Sequence, residues 1–312
     1  MGCGQLGSRH LQGLTKIPFE STIDVVEPNI DAIKIAKDRI KEINYKKLHK
    51  INWMSNLNNV SKNDLVIVAT LSNNRRKIVE RLLSLKNSRF ILEKIVTQSS
   101  SDYKILMKKI ENAEGKAWVN TSRRYFNDYQ KLFKKIQGDE CIDISVNAGD
   151  EGLGSNAIHF LDVFLWFNKS KKLKLNGKNL ESTIIKNKRG NSFVEFRGKI
   201  SGVNENNSKI EINFRPYKNS LQVLEILSEK NRIIIDETNG REYDLINKKN
   251  RKFKMNLQSD LTKIMVEDIF KKDDSKLPKL DELENIHYEL FRIFNNHLKK
   301  ISGKEYDFCP IT

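Results

Sequence analysis

Gly2-Cys3-Gly4-Gln5-Leu6-Gly7 has the pattern G-x-G-x-x-G, and Ser8 to Leu14 behind it can form a helix. Each glycine in such a loop has its own physical reason. The first permits a tight turn, the second lets a pyrophosphate approach the backbone, and the third lets the following helix pack close to a sheet. The helix N-terminus adds free N–H groups and the positive end of its dipole. The pattern is short, so its meaning depends on what flanks it.

Downstream, Ser21-Thr22-Ile23-Asp24-Val25-Val26-Glu27 reads as a β-branched strand ending in an acid. Glu27 lies 20 positions after Gly7, about where a carboxylate bonds ribose hydroxyls. Its charge repels a 2′-phosphate, so NAD is favoured over NADP. The plainer alternative is an exposed strand-end glutamate. Upstream, only Met1 precedes the loop, where the motif requires an apolar strand. The expectation is a sheet without its central first strand, leaving two strands each short of a neighbour. Each buried unsatisfied group costs about 1–3 kcal/mol, against a total stability of about 5–15 kcal/mol. The chain as it stands is expected not to form a stable sheet alone, and an extension of about six apolar residues, a typical strand, is expected to repair it.

The 312 residues suffice for two domains with ample cores. At 38% hydrophobic and 8% aromatic the composition is that of a globular protein. No apolar run approaches the roughly 20 residues of a membrane span. The longest, Ala157 to Phe167, contains His159 and Asp162. Cys3, Cys141 and Cys309 are scattered, which suggests reduced thiols in a cytoplasm and neither a disulfide framework nor a metal site. The net charge of +16 invites a nucleic-acid reading. The excess is lysine spread along the whole chain, with no basic–aromatic motif, so neither a nucleic-acid nor a membrane partner is expected. A positive field can instead steer an anionic substrate such as a nucleotide sugar.

The first part of the chain alternates strand and helix. Asn29 to Ile43 has helical spacing, and Lys50 to Trp53 is a short strand. Asp64 to Thr70 is a near-continuous apolar run of the kind buried in parallel sheets. Arg75 to Leu85 is an amphipathic helix, Arg89 to Lys94 a buried strand, Ser99 to Glu114 a helix and Lys116 to Asn120 a further strand. In the second part, Asp128 to Ile136 and Ser155 to Phe167 read as helices and Cys141 to Asn147 as a strand. Asn168 to Lys178 reads as a lysine-rich connector. A β meander follows (193–200, 209–215, 221–227, 232–236, 241–246), then helices over 261–270 and 280–301. The predicted fold is α/β. An N-terminal Rossmann domain (1–119) precedes a C-terminal α+β domain (120–312) with a large, mostly antiparallel, open-faced sheet.

Four pieces occur together in order: Gly2 to His10, Val66-Ile67-Val68-Ala69-Thr70, Glu93-Lys94, and Gly152 to Asp162 with His159-x-x-Asp162. In these the chain resembles the Gfo/Idh/MocA oxidoreductases, the glucose–fructose oxidoreductase and inositol dehydrogenase family. The resemblance spans nearly the whole chain. It implies a dinucleotide held by Gly2, Gly4, Gln5, Leu6, Gly7, Glu27, Thr70, Asn73 and Glu93. It implies Lys94 at the substrate hydroxyl beside the nicotinamide and His159 as acid/base, supported by Asp162, Ser155 and Asn156. Arg123, Arg124, Tyr125, Asn156 and His159 would reach the substrate. The ending Cys309-Pro310-Ile311-Thr312 points to sugar-modifying members of surface-polysaccharide pathways. A homo-oligomer, dimer or tetramer, is implied through the open sheet face.

These residue types suit the chemistry. Oxidising a secondary alcohol needs a hydride acceptor, a positioned carbon and a proton acceptor. A histidine titrates near working pH, and an ammonium stabilises a developing alkoxide. The plainer alternatives are a strand-end lysine, a hydrogen-bonded core histidine and an Asp162 paired with a nearby cation. Two departures stand out. Ile95 replaces the family's proline after the lysine, and Ser155 stands where many members carry an aspartate four residues before the histidine. The expected function is therefore NAD-dependent oxidation or reduction at a sugar, nucleotide-sugar or cyclitol carbon. The alternative is a dinucleotide- or sugar-binding protein of the same fold that does not turn over.

Overall fold

The computed structural model describes residues 1–43, 48–150, 152–217 and 220–312. They form two compact units. One comprises Met1–Val96, Lys104–Tyr125 and Asn256–Leu280; the other comprises Thr97–Tyr103, Phe126–Met255 and Asp281–Thr312.

The first unit begins with the loop to helix α1 (Gly7–Leu14), strand β1 (Ser21–Val26), α2 (Ile30–Lys41) and β2 (His49–Met54). Asn29 caps α2 by accepting from the N–H groups of Asp31 and Ala32. β3 (Val66–Val68), α3 (Ser72–Ser84), β4 (Arg89–Leu92), α4 (Ser100–Asn112) and β5 (Lys116–Val119) continue the alternation. All strand pairings here are parallel: β1 with β2, β3 with β4, and β4 with β5. A layer of Cys3, Leu11, Ile23, Val25, Ala36 and Ile40 fills the space between α1, α2 and β1. α7 (Gln258–Lys272), from far along the chain, packs against α1. Gly13 permits that approach, because a Cβ there would lie 2.5 Å from the Thr262 Cβ.

The five strands fall into two separate sheets, β1-β2 and β3-β4-β5. Between β1 and β3 lies a groove of about 810 Å³, lined by Ser21 to Asp24 on one side and Asp64 to Ile67 on the other. Only Met1 and Gly2 bridge it among the described residues. The Met1 ammonium donates to Ile67 O at 2.9 Å and Ala69 N–H to Met1 O at 2.8 Å. Gly2 N–H donates to Val26 O at 3.0 Å. Among the described residues, β1 and β3 thus each have one edge without a strand partner.

The second unit contains α5 (Asn127–Ile136), β6 (Asp143–Ala148), α6 (Leu153–Phe167), β7 (Leu173–Leu180), β8 (Ile185–Lys186) and β9 (Val194–Glu195). It continues with β10 (Gly198–Asn204), β11 (Lys209–Phe214), β12 (Val223–Leu227), β13 (Arg232–Asp236), β14 (Arg241–Asp244), β15 (Lys249–Lys252) and α8 (Glu284–Ser302). Eight strands form one sheet in the order β15-β14-β13-β12-β6-β11-β10-β7. Ile144, Val146, Ile210, Ile212, Leu224, Ile226, Ile233 and Ile235 are buried on one face, where α6 packs against β6 and β11.

Three readings need correction here. The lysine-rich connector is in part a strand, β7. Leu173 and Leu175 are buried while Lys174 and Asn176 face solvent, a two-residue period masked by the lysines; it ends at the irregularity where β7 pairs with β10, beyond which Leu180 is buried. The meander is interrupted, because β6 inserts between β11 and β12 and runs parallel to β11. The reading 193–200 contains two strands, β9 and β10, and β15 was not expected at all; its residues, Lys249 to Lys252, have no apolar alternation.

Candidate functional site

The glycine loop meets the steric demands of its motif. Gly2 has φ +75°, and a Cβ there would lie 3.0 Å from Thr70 N. A Cβ on Gly7 would lie 1.9 Å from Gly2 O, so α1 can start this close to the loop only with glycine. Gly4 has nothing within 4 Å of its Cβ position. A side chain is excluded at two glycines by the protein itself, and the third faces open space, as the motif requires of the glycine that a pyrophosphate would approach. The loop accordingly suits the group its motif implies.

Glu27 is buried at the end of β1 and turns its carboxylate to this loop. Oε2 accepts from Cys3 N–H at 2.6 Å and Oε1 from Asn29 N–H at 2.9 Å. Burial pushes the neighbouring Cys3 thiol up to about 11, so it stays protonated. Arg39, near the end of α2, reaches back to the loop and donates to Gln5 O at 2.7 Å, to Ser8 Oγ at 2.5 Å and to the Gln5 side chain. Gln5 is exposed and Leu6 half-buried. Thr70 follows β3 against Gly2, and Asn73 is exposed in the first turn of α3. The fully buried Arg75 of the same helix donates to Thr70 O, Ile95 O and Val96 O. It thus ties the Thr70 loop to the segment after Lys94.

Glu93 and Lys94 leave the end of β4 and are 4% and 7% exposed. The Lys94–Ile95 peptide is cis. Glu93 Oε1 takes hydrogen bonds from His10 Nε2 at 2.9 Å and Asn120 Nδ2 at 2.5 Å. Burial pushes the Glu93 carboxyl up, but those bonds and the charge of Lys94 outweigh it and hold it below its ordinary value. Arg123, Arg124 and Tyr125 lie on a 3₁₀ turn, Ser122–Tyr125. Tyr125 Oη lies 2.9 Å from Ser275 Oγ and accepts from Lys276 N–H at 3.1 Å; burial pushes the phenol up to about 12.

In the second unit, α6 is buried nearly all round, but Ser155, Asn156 and His159 are partly exposed. Their spacing (i, i+1, i+4) puts them on one face. Asp162 continues that side and is fully buried. The N-terminus of α6 holds a carboxylate that the sequence reading missed. Glu195 of β9 accepts from the Ser155 N–H at 3.2 Å, from the Ser155 hydroxyl, and from Asn187 Nδ2 at 3.1 Å. Gly152 and Gly154 make room for it, since Cβ atoms there would come within 2.5 and 3.0 Å of its carboxyl group.

Sequence reasoning also missed Arg39, Arg75 and Asn120. Each acts on another segment, Arg39 on Gln5 and Ser8, Arg75 on backbone carbonyls and Asn120 on the Glu93 carboxylate, and none leaves a local signal in the sequence. The loop residues, Glu27, Thr70, Asn73, Glu93, Lys94 and residues 123–125 belong to the first unit, and Ser155, Asn156, His159 and Asp162 to the second.

No family model matches the chain, and no curated protein does. Solved structures match over nearly its whole length. An oxidoreductase from Agrobacterium radiobacter, in complex with NAD+, L-tartaric acid and magnesium, superposes with a TM-score of 0.70 at 15% identity, covering 98% of this chain and 96% of that one. The WlbA dehydrogenase from Bordetella pertussis, in complex with NADH and UDP-GlcNAcA, gives 0.70 at 14%, covering 100% and 96%. UDP-N-acetylglucosamine 3-dehydrogenase GnnA from Acidithiobacillus ferrooxidans gives 0.70 at 12%, covering 94% of each chain. The chain has the fold of the Gfo/Idh/MocA-type oxidoreductases. These identities establish the fold alone, a Rossmann-type unit followed by an open-faced sheet unit.

Proposed function

We propose that this chain is an oxidoreductase that uses NAD to move a hydride to or from a secondary hydroxyl or keto carbon. The substrate class is a sugar, nucleotide sugar or cyclitol, and surface-polysaccharide synthesis is the expected setting. The carrying observation is the loop geometry. Gly2 and Gly7 admit no side chain, Gly4 faces open space, and the Glu27 carboxylate sits against the same loop. NAD and NADH complexes among proteins of the same fold support it, as does the nucleotide sugar bound by one of them.

In this reading the loop amides and the N-terminus of α1 hold the pyrophosphate, and Glu27 holds the ribose and disfavours a 2′-phosphate. Thr70 and Asn73 border the cofactor. Bound NAD supplies the hydride chemistry. Lys94 offers its ammonium to the substrate oxygen and stabilises alkoxide character there. His159 takes or returns the hydroxyl proton, with Ser155, Asn156 and Asp162 ordering its face of α6. Arg123, Arg124 and Tyr125 are assigned to the substrate. The open face of the large sheet carries Val203, Leu227 and Tyr243 exposed among charged residues, and we assign homo-oligomer contacts to it.

Titration of NADH fluorescence tests the first step, and absorbance at ~340 nm against a panel of nucleotide sugars tests the second. The expected result is saturable NADH binding and substrate-dependent turnover that Lys94→Ala lowers by roughly 10²–10³-fold. A folded preparation without affinity for NAD+ or NADH refutes the assignment. Binding without turnover would favour the second reading, a binding protein. Ile95 after Lys94 and the serine at 155 speak for it, and the Glu195 carboxylate on the Ser155 hydroxyl speaks against it.

A further inference from the structure

His10 has no role in the function above, yet it is 2% exposed on the first turns of α1, three residues after Gly7. Both of its ring nitrogens are engaged. Nε2 lies 2.9 Å from Glu93 Oε1, and Nδ1 lies 2.9 Å from Thr262 Oγ1 on α7. An ionised carboxylate only accepts hydrogen bonds, so the proton between His10 and Glu93 sits on Nε2. Nδ1 faces a hydroxyl that can give or take a proton, and the same hydroxyl lies 2.9 Å from Gln258 O. Asn120, past the end of β5, completes the cluster by donating to Glu93 Oε1.

One imidazole therefore joins the glycine-loop helix, the end of β4 and α7. Glu93 is covalently followed by Lys94, and His10 is less than one helical turn past Gly7. All four side chains, His10, Glu93, Asn120 and Thr262, are at most 4% exposed. At such burial a hydrogen-bonded polar network restrains its members, and the loss of one leaves its partners unsatisfied.

We propose that His10 is a positioning residue whose Nε2–H locks the Glu93 carboxylate and so couples the glycine-loop helix to the Lys94 segment. This deepens the dinucleotide reading and rests on it. His10 acts through Glu93, and its removal changes how both the loop and Lys94 are held.

The test has two readouts. In chain labelled with ¹⁵N-histidine and free of dinucleotide, the His10 ring is expected to show a slowly exchanging Nε2 proton. That proton should persist in Glu93→Gln, whose amide oxygen still accepts, and vanish in Glu93→Ala. In NADH titrations, His10→Ala is expected to weaken affinity roughly tenfold or more, the equivalent of one buried charge-assisted bond. His10→Gln, whose terminal N–H reaches toward Glu93, should recover most of the loss, and His10→Asn, which is shorter, should not. Should His10→Ala fail to fold, the Gln and Asn variants are compared with each other. A bare Nε2 in the wild type, wild-type affinity in His10→Ala, or no advantage of Gln over Asn overturns the proposal. Failure of the wild-type chain itself to bind NADH overturns the dinucleotide reading instead, so the two failures are separable.

Discussion

Gly4 and Gly7 respond oppositely to the same added methyl group. At Gly7 the methyl would be driven to 1.9 Å from Gly2 O, so the start of α1 must shift. Gly7→Ala is expected to cost about 1–3 kcal/mol of stability and to abolish NADH binding. At Gly4 the methyl enters open space, so Gly4→Ala should melt like the parent while NADH affinity falls about tenfold or more. Paired melting curves and NADH titrations check both, and a Gly4→Ala chain that binds NADH normally contradicts the loop assignment. Glu93 carries a pH signature. Its carboxyl titrates below its ordinary value near 4.5 in the folded chain, so the unfolded chain binds more protons in the acid range. The stability it contributes is present above that ordinary value and is lost as pH falls through the folded one. Melting temperatures of Glu93→Gln should therefore decline less steeply than the parent's between about pH 5 and pH 3.

At the level of elements, Arg75 joins α3 to the Thr70 loop and to the backbone after Lys94. Arg75→Leu leaves buried carbonyls without donors, and a loss on the order of 3 kcal/mol is expected in denaturant titration. The groove between β1 and β3 yields a second element-level prediction. Six or so apolar residues joined ahead of Met1 are expected to pair with both edges and raise the melting temperature. They would also replace an ammonium that burial already pushes below its ordinary pKa with a neutral amide. A flexible Gly–Ser extension of equal length is the control, and equal melting of the two extended chains refutes the idea. The βαβ order of the first unit was readable because buried parallel strands such as Val66–Val68 are continuous apolar runs. β7 was not, because lysines and asparagines on its solvent side outnumber its buried leucines, and β15 was not, because it buries no side chain and the backbone ladder alone makes it a strand. The return of α7 to α1 left no local signal either; it depends on Gly13 meeting Thr262, 249 positions away. The glycine loop, Glu27 and Lys94 could be proposed from the sequence because each sits in a short local pattern. The contacts that hold them, from Arg39 to the loop, from Arg75 to the backbone around Lys94 and from His10 to Glu93, join distant segments and appear only after folding.

At the scale of the whole molecule, a charge of +16 gives association with an anionic ligand a strong ionic-strength dependence. NADH on-rates in stopped flow should fall as salt shortens the Debye length from about 10 Å at 0.1 M to about 3 Å at 1 M. Sedimentation is expected to report a dimer or tetramer, and Leu227→Lys together with Val203→Lys on the open sheet face should shift it toward monomer. The bare flanks of β1 and β3 have another consequence. Unclaimed strand borders recruit backbone from any neighbour that offers it, so intermolecular cross-strand stacking is expected to begin at these two edges. Concentrated solutions should grow thioflavin-positive particles, and capping the borders should keep them clear.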